Sequence, residues 1–148
     1  MEVIVDASWG NANDRRSSTG ALIYFGGCLI SSFSRTQKVV AMSSCEAELT
    51  AIQSAVSEAA NVLHVLEELG WNPKIKMLTD STAAIAFAHR RGVGRIKHLD
   101  LRRFFIQDWL RSQRLSLAHI PTEANAADLL TKAFSSVDPA RLGLVRAN

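Results

Sequence analysis

The spacing of apolar and polar residues changes along this chain, and each change marks an element. Val3-Ile4-Val5 is a short apolar run closed by Asp6, which predicts a first strand. Residues 11–18 are polar and turn-like. Residues 19–25 and 28–35 are β-rich, and Gly26-Gly27 between them predicts a two-residue hairpin. The period then lengthens. Leu49, Ile52, Val56, Ala59, Leu63, Leu66 and Leu69 recur at steps of three and four, the stripe of an amphipathic helix. Ser43, with Glu46 three positions on, predicts a capping box at its start, and Gly70 its end.

The second half carries the same signals in shorter form. Residues 75–79 read as a strand ending at Asp80, and residues 81–89 as a helix. Arg-Arg-Gly-Val-Gly-Arg at 90–95 reads as a basic loop. Residues 99–114 are helical in composition, with Phe104, Phe105, Trp109 and Leu110 as expected core. Residues 115–120 alternate as a strand does, and Pro121 stops them. A last helix is expected over 126–134, behind Asn125. Together these predict one α/β domain over residues 1–134, with a mixed sheet and helices on its faces, then a weakly ordered tail at 135–148.

Composition narrows the class. The 148 residues are 47% hydrophobic and 21% charged, enough for a real core. No apolar run approaches the roughly eighteen residues of a membrane span, and no targeting signal is legible. Cys28 and Cys45 lack metal-ligand spacing and read as buried or free thiols in a reducing compartment, so an intracellular site is expected. The net charge is +3, but it is unevenly spread. Residues 89–114 hold eight Lys and Arg against Asp100 and Asp108, a surplus of six, which leaves the remainder at −3. That split suits a chain that grips a polyanion at one place and holds cations at another, although a solvated helix face would look the same.

Four acids stand at element ends: Asp6, Glu48, Asp80 and Asp128. Singly, each has an ordinary explanation as a turn residue, a solvated helix charge or a helix-start acid. Gathered at strand ends they would repel one another unless cations lay between them, and an all-oxygen set favours Mg²⁺ or Mn²⁺ over Zn²⁺.

The residues around these acids add a resemblance. Asp6-Ala7-Ser8-Trp9 followed by Arg15-Arg16-Ser17-Ser18-Thr19-Gly20 resembles the opening of the ribonuclease H domain in copia-type retrotransposon polyproteins. So do Ser43-Ser44-Cys45-Glu46-Ala47-Glu48-Leu49, Thr79-Asp80-Ser81, Lys97-His98-Leu99-Asp100-Leu101-Arg102, Ile120-Pro121-Thr122-Glu123 and Ala127-Asp128-Leu129-Leu130-Thr131-Lys132. These separated motifs span residues 6–134 in the family's order. The resemblance implies a ribonuclease H-like fold: a five-stranded mixed sheet, its first three strands antiparallel, flanked by helices. It implies that Asp6, Glu48, Asp80 and Asp128 hold two Mg²⁺ ions, with Mn²⁺ substituting, and cut the RNA strand of an RNA–DNA hybrid to leave 5′-phosphate ends. It also implies a reverse transcriptase domain in the same polyprotein, in the cytoplasm or a virus-like particle.

Glu48 rather than Glu46 fits the quartet, because Glu48-Leu49-Thr50-Ala51-Ile52 resembles the Glu-Leu-x-Ala-Ile of cellular ribonucleases H and Glu46 already serves the cap. Ser43 and Ser44 stand where relatives place polar contacts to the hybrid, Ser81 is a further candidate as the neighbour of Asp80, and Arg95, Lys97 and His98 are placed by charge to meet phosphates. The chain departs from many ribonucleases H in having no His at 120–127; His119 is expected on the preceding strand, with a local hydrogen bond and no catalytic role. The competing readings are an integrase- or resolvase-like nuclease on the same fold, and a non-catalytic nucleic-acid-binding domain.

Overall fold

The computed structural model describes residues 1–10, 14–90 and 97–132, without the side chains of 97–100 and 103. The basic loop at 91–95 and the tail from 135 lie outside the described residues. Three strands open the chain: β1 (Glu2–Ser8), β2 (Ser18–Phe25) and β3 (Cys28–Thr36). Gly26 and Gly27 join the last two with φ of +58° and +81°, the left-handed pair that matches strand twist in a two-residue hairpin. Then follow α1 (Ser44–Glu68), β4 (Ile75–Thr79), α2 (Thr82–His89), α3 (Lys97–Arg111) and β5 (Leu115–His119). The sheet order is β3-β2-β1-β4-β5. The first three strands are antiparallel, while β1–β4 and β4–β5 are parallel. This is the architecture expected above.

The pleat divides the sheet's two faces. Val3 pairs with Ile23 and Val5 with Ala21, and all four are fully buried in the cluster that includes Leu49, Ile52, Val56 and Leu63 of α1. Ala47, Ala51, Ala55 and Ala59 are also fully buried, and such small side chains let the helix approach the strands closely. The helix begins as the capping residues require. Ser43 Oγ accepts from the Glu46 amide at 3.2 Å, and Glu46 Oε2 accepts from the amide of Met42 at 2.8 Å, one residue before the cap. It ends in a Schellman motif, with Gly70 N donating to Glu67 O and Trp71 N to Leu66 O, at 3.0 and 2.8 Å.

Two expected core positions are exposed. Leu69, 69% exposed, lies at the cap of α1, and Phe104 on α3 is 36% exposed. Phe105, Trp109 and Leu110 do pack on the core. Both cysteines are free, Cys28 exposed and Cys45 partly buried. Among the described residues no helix is long and apolar enough to cross a membrane.

The expected helix over 126–134 takes another form. Its described part, Ala126–Leu130, is a 3₁₀ helix, preceded by a 3₁₀ turn at Thr122–Ala124. The tighter winding follows from bonds to the third residue back: Asp128 N to Asn125 O and Thr131 N to Asp128 O. The segment lies on the face of the sheet opposite α1, where Asp6 pairs with Gly20. A Cβ on Gly20 would stand 2.7 Å from Leu130 Cβ and 2.9 Å from Ala127 O. Gly20 is therefore needed for space, and Gly20→Ala is expected to cost roughly 1–3 kcal/mol in a denaturant melt by forcing the 3₁₀ segment outward. Unchanged stability would contradict this packing.

Candidate active site

Parallel pairing of β1 and β4 brings two acids to one edge. Ile4 is opposite Leu78, so Asp6 and Asp80 each follow two residues beyond that pair. The first half of α1 adds Glu48. Carboxylate oxygens of Asp6, Glu48 and Asp80 all lie within 4.8 Å of one another. Asp6 and Glu48 are buried and Asp80 is partly buried.

Each carboxylate has different support. Asp6 Oδ1 accepts from Asn125 Nδ2 at 3.2 Å, and Asp6 Oδ2 accepts from the Thr131 hydroxyl. Asp80 Oδ2 accepts from Thr122 Oγ1 at 2.9 Å. Glu48 Oε2 is buried and has no hydrogen-bond partner among the described residues. Burial, then the charges of Asp6 and Asp80, push the Glu48 carboxyl up to about 8. Burial also raises Asp6, against the lowering effect of the Thr131 hydroxyl. Three acids with a buried, unpartnered oxygen among them form an arrangement that a hard cation would stabilise.

Asp128 is buried beside this group but is not one of the three. Its Oδ2 accepts from Lys132 Nζ at 2.8 Å. Glu46 stays at the helix start, its carboxylate 3.6 Å from Arg102 Nη1, so Glu48 is the helix acid that faces Asp6 and Asp80. Ser43 and Ser81 are N-caps; the Ser81 hydroxyl accepts from the Ala84 amide at 3.2 Å. Ser44 is exposed on the first turn of α1. Lys97 and His98 begin α3, but their side chains, like all of Arg95, lie outside the described residues. His119 ends β5, exposed, and its side chain makes no hydrogen bond among the described residues, unlike the local bond expected for it.

The basic segment is partly structural. Arg102 donates to Thr50 Oγ1 at 2.9 Å, and Arg114 pairs with Glu67 at 2.6 Å while lying over the Trp109 ring. The supports Asn125, Thr131, Thr122 and Lys132 escaped sequence reasoning. Three of them fall inside motifs singled out above, and that was the only available signal.

No protein-family model matches this chain. It is 37% identical over 125 residues, 83% of the chain, to the retrovirus-related Pol polyprotein from transposon TNT 1-94 of Nicotiana tabacum, covering 9% of that protein. It is 34% identical over 136 residues, 89% of the chain, to the Pol polyprotein from transposon RE2 of Arabidopsis thaliana, again covering 9%. The transposon Ty1-ER2 Gag-Pol polyprotein of Saccharomyces cerevisiae is 31% identical over 135 residues, 89% of the chain and 8% of that protein. The chain thus spans under a tenth of the length of these curated relatives.

Among solved structures, RNase H1 from Halobacterium salinarum superposes with a TM-score of 0.65 at 19% identity, covering 87% of this chain and 92% of that one. LC11-RNase H1 in complex with an RNA/DNA hybrid gives 0.67 at 18% identity, covering 87% and 91%. At such identities these structures establish the fold alone. The chain belongs to the copia/Ty1-type retrotransposon Pol polyproteins, and its fold is that of a ribonuclease H domain.

Proposed function

We propose that this chain is a ribonuclease H that hydrolyses the RNA strand of an RNA–DNA hybrid during reverse transcription of a retroelement. The observation that carries the reading is the convergence of Asp6, Glu48 and Asp80, with one buried Glu48 oxygen left unpartnered. The donor set is all oxygen, which fits Mg²⁺ or Mn²⁺. Asp6, Glu48 and Asp80 would hold the metal, with Asp128 as a fourth ligand once Lys132 releases it. When bound, two such ions would lower the pKa of an attacking water and stabilise charge on the leaving 3′ oxygen, giving a 5′-phosphate product. The chain's own groups do the positioning. Asn125 and Thr131 hold Asp6, and Thr122 holds Asp80.

Of the hydroxyls assigned to the hybrid, Ser43 and Ser81 already serve as caps. Ser44 precedes Glu48 by four residues on α1, hence on the same helix face, and is exposed. It is the better contact for a 2′-hydroxyl. Two structural neighbours, LC11-RNase H1 and a foamy viral protease-reverse transcriptase, were solved in complex with RNA/DNA hybrid, which supports the same substrate class and a reverse transcriptase domain in the same polyprotein.

The test is cleavage of a labelled hybrid with Mg²⁺ or Mn²⁺, beside single-stranded RNA, duplex RNA and duplex DNA. Cleavage confined to the RNA of the hybrid is expected. Cutting of duplex DNA would favour the integrase-like reading, and hybrid binding without cutting the non-catalytic one.

Phosphate contacts are assigned to Arg95, Lys97 and His98. Changing Arg95 and Lys97 together to Ala is expected to weaken hybrid binding. Each lost contact should reduce the slope of log affinity against log salt by roughly 0.7–0.9. KM should rise far more than kcat falls, because these side chains position the duplex and do not meet the reacting phosphate. Unchanged affinity and salt slope would remove the segment from the mechanism.

A further inference from the structure

Both carboxylate oxygens of Asp6 are held by buried side chains. Each of its oxygens accepts a side-chain hydrogen bond, and both side-chain donors come from the strap after β5. Asn125 and Thr131 are 0% and 5% exposed. Asn125 is fixed in turn, since its Oδ1 accepts from the Ala127 amide at 3.2 Å. The strap is pinned to the sheet where Ser34 Oγ donates to Leu130 O at 2.6 Å, and Gly20 leaves room beneath it.

Thr131 has a second link. Its backbone amide donates to the carbonyl oxygen of Asp128 at 3.3 Å, while its hydroxyl donates to Asp6. One residue therefore ties the first acid of the site to the backbone of the fourth. An ionised carboxylate offers about four lone-pair directions, so one side-chain hydrogen bond per oxygen orients Asp6 and still leaves room for a cation.

We propose that Thr131 is a positioning residue that orients Asp6 and couples it to the Asp128 segment, so that its hydroxyl sets how tightly the acid cluster binds a divalent cation. The inference rests on the metal-centre reading above. Outer partners of metal-holding carboxylates are commonly worth about 10–100-fold in affinity. Thr131→Val keeps the shape and removes the hydroxyl; Thr131→Ser keeps the hydroxyl.

Mn²⁺ binding by the full chain without nucleic acid, followed by electron paramagnetic resonance, is the primary readout, with thermal melting in EDTA as the control for folding. The valine variant should bind Mn²⁺ about 10–100-fold more weakly while melting cooperatively, and the serine variant should recover most of the affinity. The Mg²⁺ concentration for half-maximal hybrid cleavage should shift by the same factor. If the valine variant does not fold, Thr131→Ala provides the same hydroxyl deletion without the added methyl. Parent-like Mn²⁺ binding in a folded hydroxyl-free variant would overturn the proposal. So would a serine variant as weak as the valine one, which would assign the effect to packing. A parent protein that binds no Mn²⁺ would overturn the metal-centre reading and this inference together.

Discussion

Glu48→Gln and Asp80→Asn are each expected to reduce the proposed hybrid cleavage by about 100-fold or more, while the metal-free domain should keep its fold and Glu48→Gln should melt at a higher temperature than the parent. The loss is expected to exceed the 10–100-fold typical of an outer partner, because these side chains would touch the cation directly. The gain in stability has the opposite origin. Three carboxylates share one small volume, and Glu48 is buried there with an oxygen that no described residue satisfies. Glutamine keeps the shape and removes a charge that the folded state tolerates poorly without metal. Asp6→Asn should also abolish cleavage, with less change in stability, because Asn125 and Thr131 were hydrogen-bonded to the acid it replaces. Glu46→Gln is the internal control. Its amide oxygen can still accept from the Met42 amide, so activity should survive at a cost of roughly 1 kcal/mol. Cleavage assays and chelator-treated thermal melts of the four variants check all of this. Parent-like cleavage by Asp80→Asn would sink the site, and an inactive Glu46→Gln beside an active Glu48→Gln would show that the other glutamate is the ligand.

The metal-free domain is expected to lose stability as pH rises from about 4.5 to about 8, the reverse of ordinary acid denaturation. The sign follows from Glu48, whose carboxyl is raised from 4.5 to about 8 in the folded state. Below 4.5 it is protonated in both states and carries no penalty. Between the two values the unfolded chain ionises while the folded one holds its proton, so folding becomes less favourable by up to about 1.4 kcal/mol per pH unit. Above about 8 the penalty is complete and levels off. Asp6 is also raised, chiefly by burial, and acts in the same direction. Divalent metal should remove the trend, because it binds the ionised carboxylates and binds them better as pH rises. Melting in EDTA from pH 5 to 9, for the parent and Glu48→Gln, measures it. A flat or rising melting temperature in the parent, or an unchanged slope in the variant, would mean that Glu48 does not carry this charge penalty.

Much of the fold was legible because its signals are local. The steps of three and four through Leu49, Ile52, Val56, Ala59 and Leu63 predict α1, and Ser43, Glu46 and Gly70 predict both its ends, since a cap involves residues within one turn. Gly26-Gly27 predicts the hairpin because only two positive φ values close it without strain. The choice of Glu48 over Glu46 also rested on short-range evidence, a capping box on one and a motif on the other. Local pattern failed where burial depended on what lies across the fold. Leu69 and Phe104 have core chemistry but too little covering them, and the 3₁₀ form of Ala126–Leu130 comes from a strap drawn onto Gly20 and Asp6. The support of the site is of the same kind. Thr131 reaches Asp6 across 125 positions of sequence, Asn125 across 119, and Thr122 reaches Asp80 across 42. Periodicity reports neighbours a few residues apart, so the sequence by itself determined the elements and named the acids. Only the tertiary structure, by closing those long separations, decided which three acids share a site and which hydroxyls and amide hold them there.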